Sequence, residues 1–144
     1  MKAKLLLIVS ILLLTTNLLS ANLSEDSLYN LDTKWTNQDG KSVQLKDYLG
    51  QPVILSMVYL TCGFMCPTII SEIQSIEAKL DKKIRKDVRV VLVSFDPDRD
   101  TPENMKAYAK KRKLDPSKWV MLTNKDDSKI RELAAVLGFK YQKT

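Results

Sequence analysis

Three short apolar runs, each followed by a segment of helical periodicity, limit what this 144-residue chain can fold into more than any other feature. Pro52-Val53-Ile54-Leu55-Ser56-Met57-Val58-Tyr59 is almost continuously apolar and rich in β-branched residues, the pattern of a buried central strand. Ile69, Ile73, Ile76, Leu80 and Ile84 then recur at spacings of three and four, which predicts an amphipathic helix from about Pro67 to Arg85. The run from Val88 to Phe95 predicts a second buried strand. Thr101-Pro102-Glu103 opens a helix reaching about Arg112, with threonine as N-cap, proline in the first turn and an acid beside the positive end. Trp119 to Leu122 predicts a third strand, and Asp126 to Leu137 a third helix ended by Gly138. Such alternation implies an α/β domain built on a largely parallel sheet with helices on its faces.

Ahead of these units, Lys34-Trp35-Thr36 and Ser42-Val43-Gln44-Leu45 flank Asn37-Gln38-Asp39-Gly40, an Asp-Gly hairpin signal. Lys46 to Gly50 reads as a short helical turn. The stretch 22–31 reads as a polar linker, and residues 32–144 as one domain. Neither a repeat nor a low-complexity stretch divides it.

The first 21 residues read as an address. Lys2 and Lys4 precede an apolar run from Leu5 to Leu14, and small residues follow near Ala21. A basic start, a ten-residue apolar centre and a small residue at the cut describe a secretory signal peptide. The run is shorter than the roughly 20 apolar residues of a membrane-spanning helix. Leu19 occupies a position where cleavage prefers a small residue, so an uncleaved N-terminal anchor is the alternative. Either way the body is expected to be exported, to the periplasm or another extracytoplasmic space.

Export decides how the cysteines are read. Cys62 and Cys66 are the only two in the sequence, four residues apart, on the loop that leaves the first buried strand and enters its helix. In parallel α/β sheets the working groups lie beyond the carboxyl ends of the strands, where this loop falls. A thiol at a helix N-terminus is acidified by the unpaired backbone N–H groups. Residues four apart on a helical turn project from one face. The two sulfurs could therefore close a disulfide, the default outside the cytosol, or clasp one soft ion. Two thiolates suit Cu(I), whereas structural zinc wants four ligands. The chain contains no histidine, so it cannot by itself supply a His-based triad, an imidazole base or a His-containing metal site.

Basic residues exceed acidic ones by 23 to 17; without Lys2 and Lys4 the counts are 21 and 17, a net +4. The basic clusters Lys82, Lys83, Arg85, Lys86 and Lys110, Lys111, Arg112, Lys113 read as solvated helix ends. No aromatic residues interleave them, and nucleic acid is not an expected partner.

Asp96-Pro97-Asp98-Arg99-Asp100-Thr101-Pro102 lies at the end of the second buried strand, on the same sheet edge as the cysteines. Its alternate aspartates do not make a calcium loop, because Thr101 stands where glycine is needed and Ala107 where glutamate is needed. It reads as a rigid, well-capped connection from which Arg99 could bring positive charge towards the thiolates.

Leu60-Thr61-Cys62-Gly63-Phe64-Met65-Cys66-Pro67 followed by this Asp-Pro motif resembles the Sco/SenC family. Gln38-Asp39-Gly40-Lys41 and Gly138-Phe139-Lys140-Tyr141 extend the likeness over most of the chain. The resemblance implies a thioredoxin-like fold and an exported copper-binding protein serving assembly of the dicopper centre of cytochrome c oxidase. It makes Cys62 and Cys66 both the two thiolate copper ligands and a redox-active pair able to form the Cys62–Cys66 disulfide. The expected partner is the copper-bearing oxidase subunit, or another copper or thiol protein, close to a membrane surface.

The family's third ligand, a histidine, falls beyond Thr144, on strands that precede a last helix. Relative to the family the chain thus reads as truncated, with the strand at Pro52–Tyr59 left as an edge. In a naturally short form, Met65 or Met57 would be the remaining weak soft ligand, although Met57 otherwise reads as core. The alternative function is an extracytoplasmic thiol:disulfide oxidoreductase in which Cys62 attacks and Cys66 resolves. No peroxiredoxin-type nucleophile motif is found.

Overall fold

The structure, a computed structural model, describes residues 23–25 and 27–140. The leader at 1–21 and the closing residues 141–144, Tyr141 of the family-like ending among them, lie outside the described residues.

A five-stranded sheet in the order β2-β1-β5-β4-β3 carries the fold. The hairpin forms where Asp-Gly predicts it: β1 (Trp35–Asn37) pairs antiparallel with β2 (Ser42–Val43), Trp35 opposite Val43. Gly40 takes the positive φ of 74° that the turn requires. A 3₁₀ turn over Leu45–Tyr48 matches the expected helical turn, and Gly50 leaves it at φ 82°.

The remaining strands are parallel. β3 (Val53–Val58) pairs with β4 (Arg89–Ser94), and β4 with β5 (Trp119–Thr123), which also takes β1 antiparallel on its other side. β4 lies inside the sheet, with Val90 to Val93 fully buried, because alternate residues feed the core on each face. On one face Val58, Val90, Leu92 and Met121 pack with Cys66, Ile70 and Ile73 of α1 (Met65–Lys79) and Met105 of α3 (Pro102–Lys111). On the other, Met57, Val91, Val93 and Leu122 pack with Trp35, Leu45 and the Ile130, Leu133 and Ala134 stripe of α4 (Asp127–Val136). β3 has a hydrogen-bonded neighbour on one side alone among the described residues.

Two readings are corrected. The helix expected from Pro67 to Arg85 starts two residues earlier and stops at Lys79. Leu80 and Asp81 are extended, and the Asp81 carboxylate accepts the Lys83 N–H at 2.8 Å to cap a separate short helix, α2 (Lys82–Asp87). Burial along the stripe ends at Ile73; Ile76, still within α1, and Ile84, beyond the break, are half exposed. In the stretch read as a linker, Leu28–Asn30 form a 3₁₀ turn, and Leu28, Tyr29 and Leu31 pack against the second core. Among the described residues no helix is long and apolar enough to cross a membrane.

Candidate functional site

The chain leaves β3 through Tyr59 and Leu60, turns with the Cys62 N–H donating to the Tyr59 carbonyl at 3.3 Å, and enters α1 at Met65. Phe64 occupies the N-cap position and has no side chain able to cap. Cys62 fills that role, since its Sγ accepts the Cys66 N–H at 3.2 Å. Pro67 has no N–H to leave unsatisfied in this first turn. The sulfurs thus meet because a loop cysteine caps the helix that bears its partner, not because both sit on one helical turn. Both cysteines are free thiols in the structure.

The two thiols differ in acidity. Cys62 is half buried, and the donated Cys66 N–H is the largest influence drawing its pKa down to about 7. Smaller contributions come from the Cys66 thiol, the Phe64 N–H and the Tyr59 hydroxyl, while partial burial opposes them. Cys66 faces the core beside Val58 and Ile70. Burial pushes its thiol up to about 11, aided by the nearby Cys62 sulfur and the Asp100 carboxylate and opposed by the Tyr59 backbone. The expected acidification at the helix start therefore belongs to Cys62, while the buried partner shifts the other way.

The aspartate motif meets this loop from β4. Asp100 is completely buried, accepting the Leu60 N–H at 3.1 Å and the Ser94 hydroxyl at 2.5 Å. Its carboxyl is raised above the usual range by burial, with the Ser94 and Leu60 donors pulling the other way. The Arg99 guanidinium pairs with Asp96 at 2.7 Å, and its charge also reaches Tyr59 and Asp100 beside the cysteine loop. Thr101 caps α3 by accepting the Asn104 N–H at 3.3 Å, as its sequence position predicts. No group of three His, Cys, Asp or Glu residues able to hold a metal ion occurs among the described residues.

The two methionines separate. Met57 is buried in the core on the face opposite Cys66, because neighbouring strand residues point to opposite sides, and it cannot reach the sulfurs. Met65 is 61% exposed next to Phe64 at 76%, so an apolar tip stands between the cysteines. A groove of about 290 Å³ runs beside the loop, lined by Leu60, Thr61, Arg99, Asn104, Tyr108 and Lys111.

Sequence reasoning passed over Asp100 as a buried anchor and Tyr59 as a neighbour of Cys62. Tyr59 meets Phe95 in a tilted contact with ring centroids 5.0 Å apart, and Phe95 meets Phe139 likewise at 5.9 Å, so a row of aromatic rings begins beside Cys62.

Comparison with known proteins bears on the family and the fold. The chain is 33% identical over 98 residues to the SCO1 protein homolog of Bacillus subtilis, a match covering 68% of this chain and 50% of that protein. The chain thus spans about half the length of that relative. Among solved structures, BsSco, a member of the Sco family of cytochrome c oxidase assembly proteins with a disulfide switch, superposes with a TM-score of 0.66 at 29% identity. That match covers 78% of this chain and 65% of BsSco. ScoI of Bradyrhizobium japonicum, solved with copper bound, superposes with a TM-score of 0.65 at 30% identity over 77% of this chain and 68% of its own. The thioredoxin-like architecture implied by the family resemblance is the one these relatives share. The SCO1/SenC family model matches residues 23–144 throughout, and the chain belongs to that family.

Proposed function

We propose that Cys62 and Cys66 bind one copper ion outside the cytosol and pass it to the copper-bearing subunit of cytochrome c oxidase. The observation that carries this reading is the paired but unequal dithiol, in which an accessible sulfur of pKa about 7 stands next to a buried one of about 11. Copper is the cargo. Two thiolates form a soft donor set that favours Cu(I) over hard cations. The copper-bound relative and the oxidase-assembly relative support the same chemistry. At neutral pH Cys62 is available as thiolate for capture, and Cys66 must give up its proton as the second sulfur–metal bond forms. Release reverses this order: an incoming donor displaces the copper, and reprotonation of the buried Cys66 favours its departure. The apolar leader supports export of the domain.

The same asymmetry favours a second reading, thiol:disulfide exchange. The Cys62 thiolate attacks a disulfide, forms a mixed disulfide and expels one thiolate. Cys66 then loses its proton and attacks the Cys62 sulfur, expelling the second thiol. The chain ends as the Cys62–Cys66 disulfide, having given two electrons to the substrate.

Anaerobic titration of the reduced protein with Cu(I), against a chromophoric competitor, tests the first reading. About one equivalent is expected to bind, and Cys66→Ser is expected to abolish binding; undiminished binding by that variant would overturn it. Rapid reduction of hydroxyethyl disulfide without Cu(I) binding would select the second.

A further inference from the structure

The break at Leu80-Asp81 creates a surface that the copper site does not use. Between Asp81 and Arg89 the chain carries five basic residues against two acidic ones. A groove of about 500 Å³ opens there, lined by Gly50, Pro52, Lys83, Ile84, Lys86 and Arg89. Asp87 is the one acid in its lining, and it meets Lys86 at a long 3.9 Å. Lys82 and Lys83 form no ion pair among the described residues. The Asp81 carboxylate is engaged in capping α2, and Arg89 donates from Nε to Gln51 at 3.0 Å. Ile84 is 46% exposed among these cations, and Leu49, next to Gly50, is exposed to the same degree.

An exposed aliphatic side chain ringed by lysine and arginine is the pattern of an interfacial surface, where the apolar group enters the headgroup layer and the cations meet anionic lipids. A purely solvated helix end explains the charges but not the isoleucine. The groove lies at the amino ends of β3 and β4, where Arg89 pairs with Val53, while Cys62 and Asp96 follow the carboxyl ends. Six strand residues span about 20 Å, so contact at this pole leaves the thiols facing water.

We propose that this isoleucine-centred basic groove is a docking surface for an anionic lipid bilayer, holding the thiols on the side of the domain away from the membrane. It does not depend on copper binding, which the Cu(I) titration measures separately.

The test uses the full chain, whose leader is common to every variant, mixed with phosphatidylglycerol/phosphatidylcholine vesicles or with phosphatidylcholine alone. Each basic residue near an anionic surface contributes about fivefold to binding, so Lys83→Glu with Lys86→Glu is expected to weaken sedimentation with the anionic vesicles at least about 25-fold. The control pair is Lys34→Glu with Lys125→Glu, near the Asn124–Lys34 hydrogen bond beyond the carboxyl end of β5. It is expected to have a much smaller effect; equal losses from both pairs would reduce the attraction to net charge and overturn the site. Ile84→Trp supplies a second readout, because the native Trp35 and Trp119 are buried at 1% and 3% exposure. Its emission is expected to shift to the blue on anionic vesicles and to be quenched by brominated acyl chains. Unshifted emission from vesicle-bound protein would overturn the proposal, as would a shift with poly-L-glutamate and none with vesicles, which would assign the groove to acidic polypeptides.

Discussion

The Asp100 carboxylate accepts the backbone N–H of Leu60 at 3.1 Å and through that bond fixes the loop that carries Cys62. The same carboxylate takes the Ser94 hydroxyl, so the ends of β3 and β4 are joined through one buried side chain. Replacing it by alanine strands two buried donors and is expected to cost about 2–3 kcal/mol in urea unfolding. Asp100→Asn keeps one acceptor oxygen and is expected to cost less. Burial raises this carboxyl in the folded protein, so ionising it opposes folding and stability falls as pH rises from the unfolded carboxyl value through the folded one. The asparagine variant lacks this titration, and its deficit relative to the parent is expected to be larger at pH 4 than at pH 7. An equal deficit at both would contradict the assignment.

Iodoacetamide is expected to modify one cysteine per chain near neutral pH, with a rate that titrates around 7 and disappears in Cys62→Ser. Cys66 is expected to react only in strong alkali, its thiol being pushed up to about 11. Tyr59→Phe removes the weakest of the influences lowering Cys62 and is expected to raise its apparent pKa by less than about one unit. A shift of several units would mean that the hydroxyl, not the helix N–H, governs the thiol.

Copper uptake is expected to expel protons in a pH-dependent number. Below pH 7 both thiols are protonated in the free protein and two protons leave per ion. Between about 7 and 11 Cys62 is already ionised and one leaves, from Cys66. Affinity for Cu(I) therefore climbs about a hundredfold per pH unit below 7 and about tenfold per unit above it. Calorimetry in buffers of different ionisation enthalpy counts the protons directly. A constant value across pH 7 would show that neither thiol ionises there and would contradict the acidity assigned to Cys62.

At the far end of α1, Glu77 accepts from Lys118 and from the Trp119 indole, each at 3.0 Å, and so ties the helix to the start of β5. The charges are mostly buried, with side chains 16% and 22% exposed. Glu77→Ala is expected to lower stability by about 2 kcal/mol, since it leaves the indole N–H and the ammonium without their acceptor. Glu77→Gln, which can still accept from the indole, is expected to recover about half. Unfolding midpoints of the two variants check the order.

The alternation of strands and helices was legible because both periodicities report burial, and burial is what the sheet imposes on Val90 to Val93 or on Ile130 and Leu133. The Asp-Gly hairpin and the Thr101 cap were legible because they are decided within four residues. The break at Asp81 was not: Ile76, Leu80 and Ile84 keep the helical spacing, and only the extended backbone at Leu80 reveals that they leave the core. The cysteines could be assigned to a strand-to-helix loop, yet the inequality of their sulfurs comes from one hydrogen bond and the depth of Cys66. The local pairing of Arg99 with Asp96 was likewise not legible, because it depends on how the loop after β4 turns.

β3 carries the cysteine loop at its end and keeps one flank without a hydrogen-bonded neighbour among the described residues. A ribbon laid along Val53–Val58 would use the amides and carbonyls on the flank turned away from β4. Only Tyr59, Leu60 and Thr61 separate the end of that border from Cys62, so whatever lies along the rim of the sheet sits three residues from the reactive sulfur.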